Sequence, residues 1–135
     1  MRRIDWPERL ASFVEENRRR AFAWGDHDCA LFAAAAVQRL TGVDPLACVR
    51  GTYATEDGAD AVLGGVPLSL YMDAAMRAAG FLPVDPSLSQ RGDVVIVEPG
   101  NMATCGVHLG GSVAVPGVDR LRFVPTRMIR AAWSI

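Results

Sequence analysis

The sequence contains no lysine, so all 14 of its basic residues are arginines. Fifteen acidic residues balance them, and the formal net charge is −1 at pH 7. Because an excess of positive charge draws a protein to nucleic acids and to membrane surfaces, we expect neither as a partner. The one short basic run, Arg18 to Arg20, is typical of a solvated helix end, where cations are favoured.

The sequence is also poor in cysteine and in long apolar stretches. Its three cysteines, Cys29, Cys48 and Cys105, are odd in number and irregularly spaced. Such a set is a poor disulfide framework and is typical of a chain made in a reducing compartment. No apolar run approaches the roughly 18 residues of a membrane helix, and the first residues show no secretory signal. We therefore expect action outside the cell only if another component carries the chain there.

Half of the residues are hydrophobic and the length suits a single core, which predicts one domain over residues 1–135. The helices and strands predicted along it place this domain in the α+β class. Apolar spacing and capping residues predict helices over residues 7–20, 29–40, 55–63 and 68–79. Apolar runs between turn residues predict strands over 93–97, 104–109, 112–115, 121–124 and 131–134. Gly110-Gly111 is a hairpin signal between two of these strands.

Cys29 opens the second predicted helix, behind the aspartates Asp26 and Asp28. The positive end of a helix dipole and its free N–H groups stabilise a thiolate, which lowers the pKa of such a cysteine. The two aspartates oppose this through their negative charge. Cys29 is therefore a candidate nucleophile, and the alternative is a buried, inert cysteine.

A catalytic cysteine needs a base, and the sequence offers only His27 and His108. His108 lies in a predicted strand and is the candidate base, whereas we expect His27 to be an exposed turn residue. Cys105 and His108 have a spacing that resembles a metal-ligand pair. Residues three apart on a strand point to opposite faces, so we expect no metal site and no cofactor.

Two groups of residues carry a family resemblance. The segments DHDCALFAAAA, then RGDVVIV, then GVHLGG occur in the order typical of papain-like cell-wall cysteine peptidases of the NlpC type, which the chain resembles. The segments WGDHDCALFAAAAV, TGVDPLACVRGTYATEDGA, RGDVVIV and GVDRLRFVP, with the terminal AAW, are closer still to a family of short phage and prophage proteins of unknown function. The resemblance implies an NlpC-type fold, with N-terminal helices packed on a small antiparallel sheet or half-barrel.

The resemblance also implies which positions hold the catalytic residues. Cys29 matches the nucleophile, but aligning Gly106 to Gly110 with the peptidase pattern places the family histidine at Thr104. His108 follows four residues later on the same strand face, about 13 Å away at roughly 3.3 Å per residue. The third polar residue would fall near Val113 to Val115, which are apolar or small. We therefore expect a degenerate, inactive site.

The expected function is a structural component of a phage tail tip or baseplate, synthesised in the bacterial cytoplasm and carried in the virion. Its expected partners are other tail-tip and hub proteins. The alternative is an active peptidoglycan endopeptidase or amidase that assists genome delivery, with Cys29 as nucleophile, His108 as base and peptidoglycan as a further partner. A third interpretation, which rests on Cys29 alone, is a small cytoplasmic hydrolase or redox-active thiol protein.

Overall fold

Four helices precede most of a six-stranded sheet in the computed structural model, which describes residues 1–135. The helices are α1 (Trp6–Asn17), α2 (Cys29–Thr41), α3 (Glu56–Leu63) and α4 (Leu68–Ala78). The strands are β1 (Pro83–Val84), β2 (Val94–Val97), β3 (Thr104–His108), β4 (Val113–Pro116), β5 (Leu121–Val124) and β6 (Ile129–Trp133). The predicted α+β class is confirmed.

The predicted helices are all present, and every boundary agrees to within one residue except the end of α1. α1 ends at Asn17 and not at residue 20, because the Arg18 carbonyl accepts a hydrogen bond from the Leu121 N–H at 2.9 Å. The three arginines therefore lie just beyond the helix. β1 was not predicted, since it has only two residues and exists through its pairing with β6. No helix is long and apolar enough to span a membrane.

All neighbouring strands run antiparallel, in the order β1-β6-β2-β3-β4-β5. The predicted hairpin joins β3 to β4, and its Gly110 has a φ of +96°, which favours glycine. β5 and β6 lie four positions apart in the sheet, about 19 Å if the sheet were flat. Only residues 125–128 connect them, and part of that link is 3₁₀ helix. The sheet is therefore curled.

The curl encloses apolar side chains on the sheet face that carries no helix. This face holds a buried cluster of Val95, Val97, Val113, Val115, Val124, Ile129 and Ala132. The other face packs against the helices through two more clusters. Both faces of the sheet are thus buried, and strands β2 and β4 have no exposed residue.

α2 is the central helix, packed between α1 and strands β3 and β4. Its buried residues are Leu31, Phe32, Ala33, Ala34, Ala36, Val37 and Leu40. The alanines allow close approach of the sheet, and the bulky residues fill the two helix-side clusters. The helix ends at Gly42, which has a φ of +88° and donates its N–H to the Gln38 carbonyl. This packing places the first turn of α2 against β3.

Candidate functional site

The start of α2 is held by the carboxylate of Asp28, the N-cap residue. Oδ1 accepts the Leu31 N–H at 2.9 Å, and Oδ2 accepts the Gly25 N–H at 3.1 Å. The Tyr53 hydroxyl also donates to Oδ2. Burial and this hydrogen bond raise the pKa of Tyr53 well above its usual range. Asp28 thus joins the helix start to a segment 25 residues further along the chain.

The turn before α2 depends on the close approach of Gly25 to Tyr53. Gly25 has a φ of +77°, and a Cβ at this position would lie 1.7 Å from the Tyr53 carbonyl oxygen. Glycine is therefore the residue that permits this turn. The approach fixes the position of Asp28 and, directly after it, of Cys29.

Cys29 is the first residue of α2, is partly exposed, and packs against the buried cluster that includes Cys105. A hydrogen bond from the Cys105 thiol lowers the pKa of Cys29 below its ordinary value. The backbone N–H groups of Cys105 and Ala30 also donate to the Cys29 sulfur and lower its pKa further, while burial and the charge of Asp28 raise it. The net effect favours the thiolate of Cys29 over that of an ordinary cysteine.

Cys105 lies in the middle of the protein, with no exposed surface. It pairs with Ile96 across the sheet, and both residues belong to the cluster packed against α2 and α4. The hydrogen bond to Cys29 and burial raise the pKa of Cys105 well above its ordinary value. The two thiols therefore differ in character: Cys29 is the better thiolate, and Cys105 remains a neutral donor.

His108, the candidate base, is not brought to Cys29. It pairs with Val113, which belongs to the apolar cluster on the sheet face without helices. Directly paired residues share a face, so the His108 side chain points away from α2. Its Nδ1 accepts the Gly110 N–H at 2.9 Å, and burial lowers the pKa of His108. The proposed nucleophile–base pair is absent because the sheet lies between its two members.

Thr104, the position aligned with the family histidine, also lies on the face away from α2. It pairs with Val97, a member of the same helix-free cluster. The next residue, Cys105, is the one that meets Cys29. A thiol, rather than an imidazole or a hydroxyl, therefore stands opposite the candidate nucleophile on β3.

His27 is buried, and the prediction of an exposed turn residue was wrong. The backbone of His27 pairs with Ala23 in both directions, which folds the turn back. The imidazole then lies edge-on to Phe32, with 5.7 Å between ring centroids, and only 1% of the residue is exposed. Burial lowers the pKa of His27, and its Nε2 has no hydrogen-bond partner. It packs on the α1 side of α2, along a groove that Phe13 also lines.

The structure contains no group of three or more histidine, cysteine or acidic side chains placed to hold a metal ion. Cys105 and His108, the pair with ligand-like spacing, lie on opposite faces of the sheet. Three cavities of about 490, 510 and 490 Å³ lie between elements of the chain, and Cys29 lines none of them. No substrate-sized cleft among these three opens onto the candidate nucleophile.

Asp93, of the Gly-Asp pair before β2, has a role that the sequence did not reveal. Its Oδ1 accepts from the Arg2 guanidinium at 2.9 Å and from the Ile135 N–H at 3.1 Å, and its Oδ2 accepts the Gln90 N–H. Arg2 also donates to the Ile135 carbonyl. The carboxylate thus joins both ends of the chain to the start of a central strand.

Two partners of the predicted residues, Cys105 for Cys29 and Tyr53 for Asp28, were also missed. Side chains alternate between the two faces along β3, which places Cys105 and His108 on opposite faces. The alternation does not indicate which of these faces packs against α2. Nothing in the sequence around Tyr53 marks it as a partner of the helix cap. Both contacts arise from the tertiary packing of distant segments.

Comparison with known proteins gives one match. The whole chain, residues 1–135, matches the family described as Domain of unknown function (DUF6950). No curated protein and no solved structure matches it significantly. The chain therefore belongs to the family Domain of unknown function (DUF6950).

Proposed function

We propose that the chain is a structural component of a phage tail tip or baseplate, built on a degenerate NlpC-type, papain-like fold. The observation that supports a degenerate site is that β3 presents Cys105, and neither Thr104 nor His108, on the face that packs against α2. The resemblance of the sequence to short phage and prophage proteins supports the place in the tail. In this role the chain acts by protein contacts and not by chemistry.

The packing of α2 on β3 supports the peptidase-like ancestry. A cysteine at a helix start that faces an antiparallel strand is the arrangement expected for a helix-borne nucleophile and a strand-borne base. Here the nucleophile position keeps its cysteine, while Cys105 occupies the facing position on β3. Without an imidazole and a residue to orient it, most of the catalytic machinery of a cysteine peptidase is missing.

The alternative function, a peptidoglycan endopeptidase or amidase, is favoured by one observation, the placement of Cys29 at the capped and partly exposed start of α2. A thiolate at a helix start is nucleophilic, and the N–H groups there can stabilise an oxyanion. In this structure His108 lies on the face of the sheet opposite to Cys29. An active enzyme would therefore need a base from another molecule of the particle.

The tail role is tested on purified particles. We expect the chain to be present in fixed copy number in virions whose genome encodes it. We also expect it to form a complex with tail-tip or hub proteins produced from neighbouring genes. Particles that carry Cys29→Ala should assemble and infect as the wild type does, and Cys48→Ala serves as the matched control at an exposed cysteine. Absence from virions, or a chain that stays monomeric beside every such protein, contradicts the proposal.

The enzymatic alternative is tested separately on purified peptidoglycan. We expect the wild-type chain and the Cys29→Ala variant to release equally little soluble peptide, with and without the tail-tip partners. Release that depends on Cys29 would establish the alternative, whether or not the chain is found in particles.

A further inference from the structure

One face of α2 forms the floor of a groove between the helices, which we call the α1–α2 groove. Leu31, Ala35 and Gln38 follow one another at helical spacing along this face, and all three line the groove. Residues of α1 line it as well, and so does Arg50, in the segment that follows α2. The cavity measures about 490 Å³. Sites for small molecules usually measure about 300–1,000 Å³, so the groove is large enough for such a ligand.

Positive charge dominates the α1–α2 groove. The arginines that line it are Arg3, Arg9, Arg20, Arg39 and Arg50. Two acidic residues, Glu16 and Asp26, line it with them, which leaves an excess of three positive charges. The whole chain has a net charge of −1, so this excess is a local property of the groove. A cleft lined by charges of one sign concentrates ligands of the opposite sign.

Three of these arginines keep most of their N–H groups free for a ligand. A guanidinium carries five N–H donors. Arg9 bonds the Asp5 carboxylate through Nε alone, at 2.7 Å. Arg20 bonds the Asp26 carboxylate through one Nη alone, at 2.8 Å. Arg3 forms no ion pair. The groove therefore offers cationic donors that the protein itself does not use.

The other two arginines are held more firmly. Arg39 donates to both carboxylate oxygens of Glu16, and this pair ties α2 to α1. Arg50 bonds the Asp44 carboxylate through Nε at 2.8 Å and the Leu31 carbonyl through one Nη at 3.3 Å. Its second Nη forms no hydrogen bond within the protein. A guanidinium fixed in this way loses little further freedom when a ligand binds, which favours Arg50 as a ligand contact.

We propose that the α1–α2 groove binds a small phosphate ester, with the phosphate group at the end of the groove where Arg20 and Arg50 lie. Both arginines are anchored near the start of α2, one through Asp26 and the other through the Leu31 carbonyl. Guanidinium groups match phosphate oxygens through pairs of N–H donors. A phosphate ester carries about −1.5 to −2 charges at pH 7, which suits an excess of three positive charges better than a single carboxylate does. This inference does not depend on the tail role.

The test is a calorimetric titration of the full chain at about 0.15 M salt. Ribose 5-phosphate is the probe, and we expect saturable binding with a dissociation constant of about 1 mM or lower. Ribose should show no binding, and gluconate, a monocarboxylate of similar size, should bind at least tenfold more weakly. Binding of ribose 5-phosphate that does not saturate, or that ribose or gluconate equals, overturns the proposal. A phosphoserine peptide that binds tenfold more tightly than ribose 5-phosphate would assign the phosphate to a protein partner and overturn the small-molecule ligand.

Arginine variants test the position of the phosphate group. Arg20→Gln and Arg50→Gln should each weaken the binding of ribose 5-phosphate about tenfold, because each removes a charged donor. Arg120→Gln is the matched control, since Arg120 is exposed and does not line the groove. It should leave the affinity unchanged. Equal weakening by all three variants would show attraction to the protein as a whole and would overturn the site.

A pair of variants on the groove floor separates charge from space. Ala35→Glu and Ala35→Gln add side chains of nearly equal size at a partly exposed position of α2, and both residues favour a helix. The glutamate supplies its own carboxylate to the arginines, so it should weaken binding at least tenfold more than the glutamine. Circular dichroism checks that both variants fold. Equal loss of binding in the two folded variants would show that the groove does not select for negative charge, which overturns the proposal.

Discussion

Cys29, the first residue of α2, packs against the buried cluster that contains Cys105 of β3. This contact explains why a sequence with a cysteine at a helix start need not encode a peptidase. The hydrogen bond from Cys105 stabilises the Cys29 thiolate, but a thiol with a raised pKa cannot take a proton as an imidazole does. Stabilising a nucleophile and supplying a general base are thus separate features, and β3 presents a thiol, not an imidazole, on the face toward Cys29.

Asp28→Ala should destabilise the protein by about 2–3 kcal/mol, because the N-cap of α2 and two further donors, the Gly25 N–H and the Tyr53 hydroxyl, lose their acceptor. Urea unfolding followed by circular dichroism measures the change. Tyr53→Phe removes one of these hydrogen bonds and should cost about 1 kcal/mol. A cost for Asp28→Ala no larger than that of Tyr53→Phe would contradict the role of the cap.

Asp93→Ala should cost about 3 kcal/mol or more, because the Arg2 guanidinium and two backbone N–H groups lose a buried acceptor. Asp119→Ala is the matched control, since Asp119 is exposed and its nearest arginine nitrogen is 4.0 Å away. It should change the stability by less than about 0.5 kcal/mol. Equal costs for the two variants would show that Asp93 does not hold the chain ends.

The stability should fall as the pH is lowered from about 7 through the ordinary histidine pKa of roughly 6.5. Burial lowers the pKa of both His27 and His108 in the folded state. The unfolded chain therefore binds protons first as the pH falls, and protonation favours unfolding until the lower folded values are reached. Melting temperatures from pH 7.5 to 5.0 measure this effect.

His27→Leu should reduce that pH dependence while leaving the protein folded, because leucine suits the apolar contact with Phe32. At pH 7.5 we expect its stability to match or exceed that of the wild type, since the variant removes a buried nitrogen without a partner. A wild-type melting temperature that stays constant or rises on acidification would contradict the burial of the neutral imidazoles.

The sequence predicts the elements of this fold well, because their signals are local. The Asp28 cap and the Gly42 end of α2 are visible as residue types, and the hairpin at Gly110 is equally direct. The α+β order follows from these signals. The boundary of α1 was missed because it depends on a hydrogen bond with Leu121, a residue more than 100 positions away.

The contacts of the site were predictable only in part. Side chains along β3 alternate between the two faces of the sheet, which places Cys105 and His108 on opposite faces. This alternation shows which face lies toward the core only when the other face carries polar residues. Here the curled sheet buries both faces, and β2 has no exposed residue. Sequence reasoning therefore had no signal that β3 presents Cys105 to Cys29, nor that a backbone pairing with Ala23 buries His27.

The pH dependence of Cys29 alkylation tests most directly which residue stabilises the Cys29 thiolate. In a chain with Cys48→Ser, the rate of iodoacetamide labelling at Cys29, followed by peptide mass, reports the thiolate fraction. Cys105→Ala should shift the midpoint of this curve to higher pH, and Cys105→Ser, which keeps a donor, should shift it less. His27→Gln and His108→Gln should leave it unchanged. A midpoint that moves with either histidine and not with Cys105 would show that an imidazole serves Cys29, and would contradict the assignment of a degenerate site.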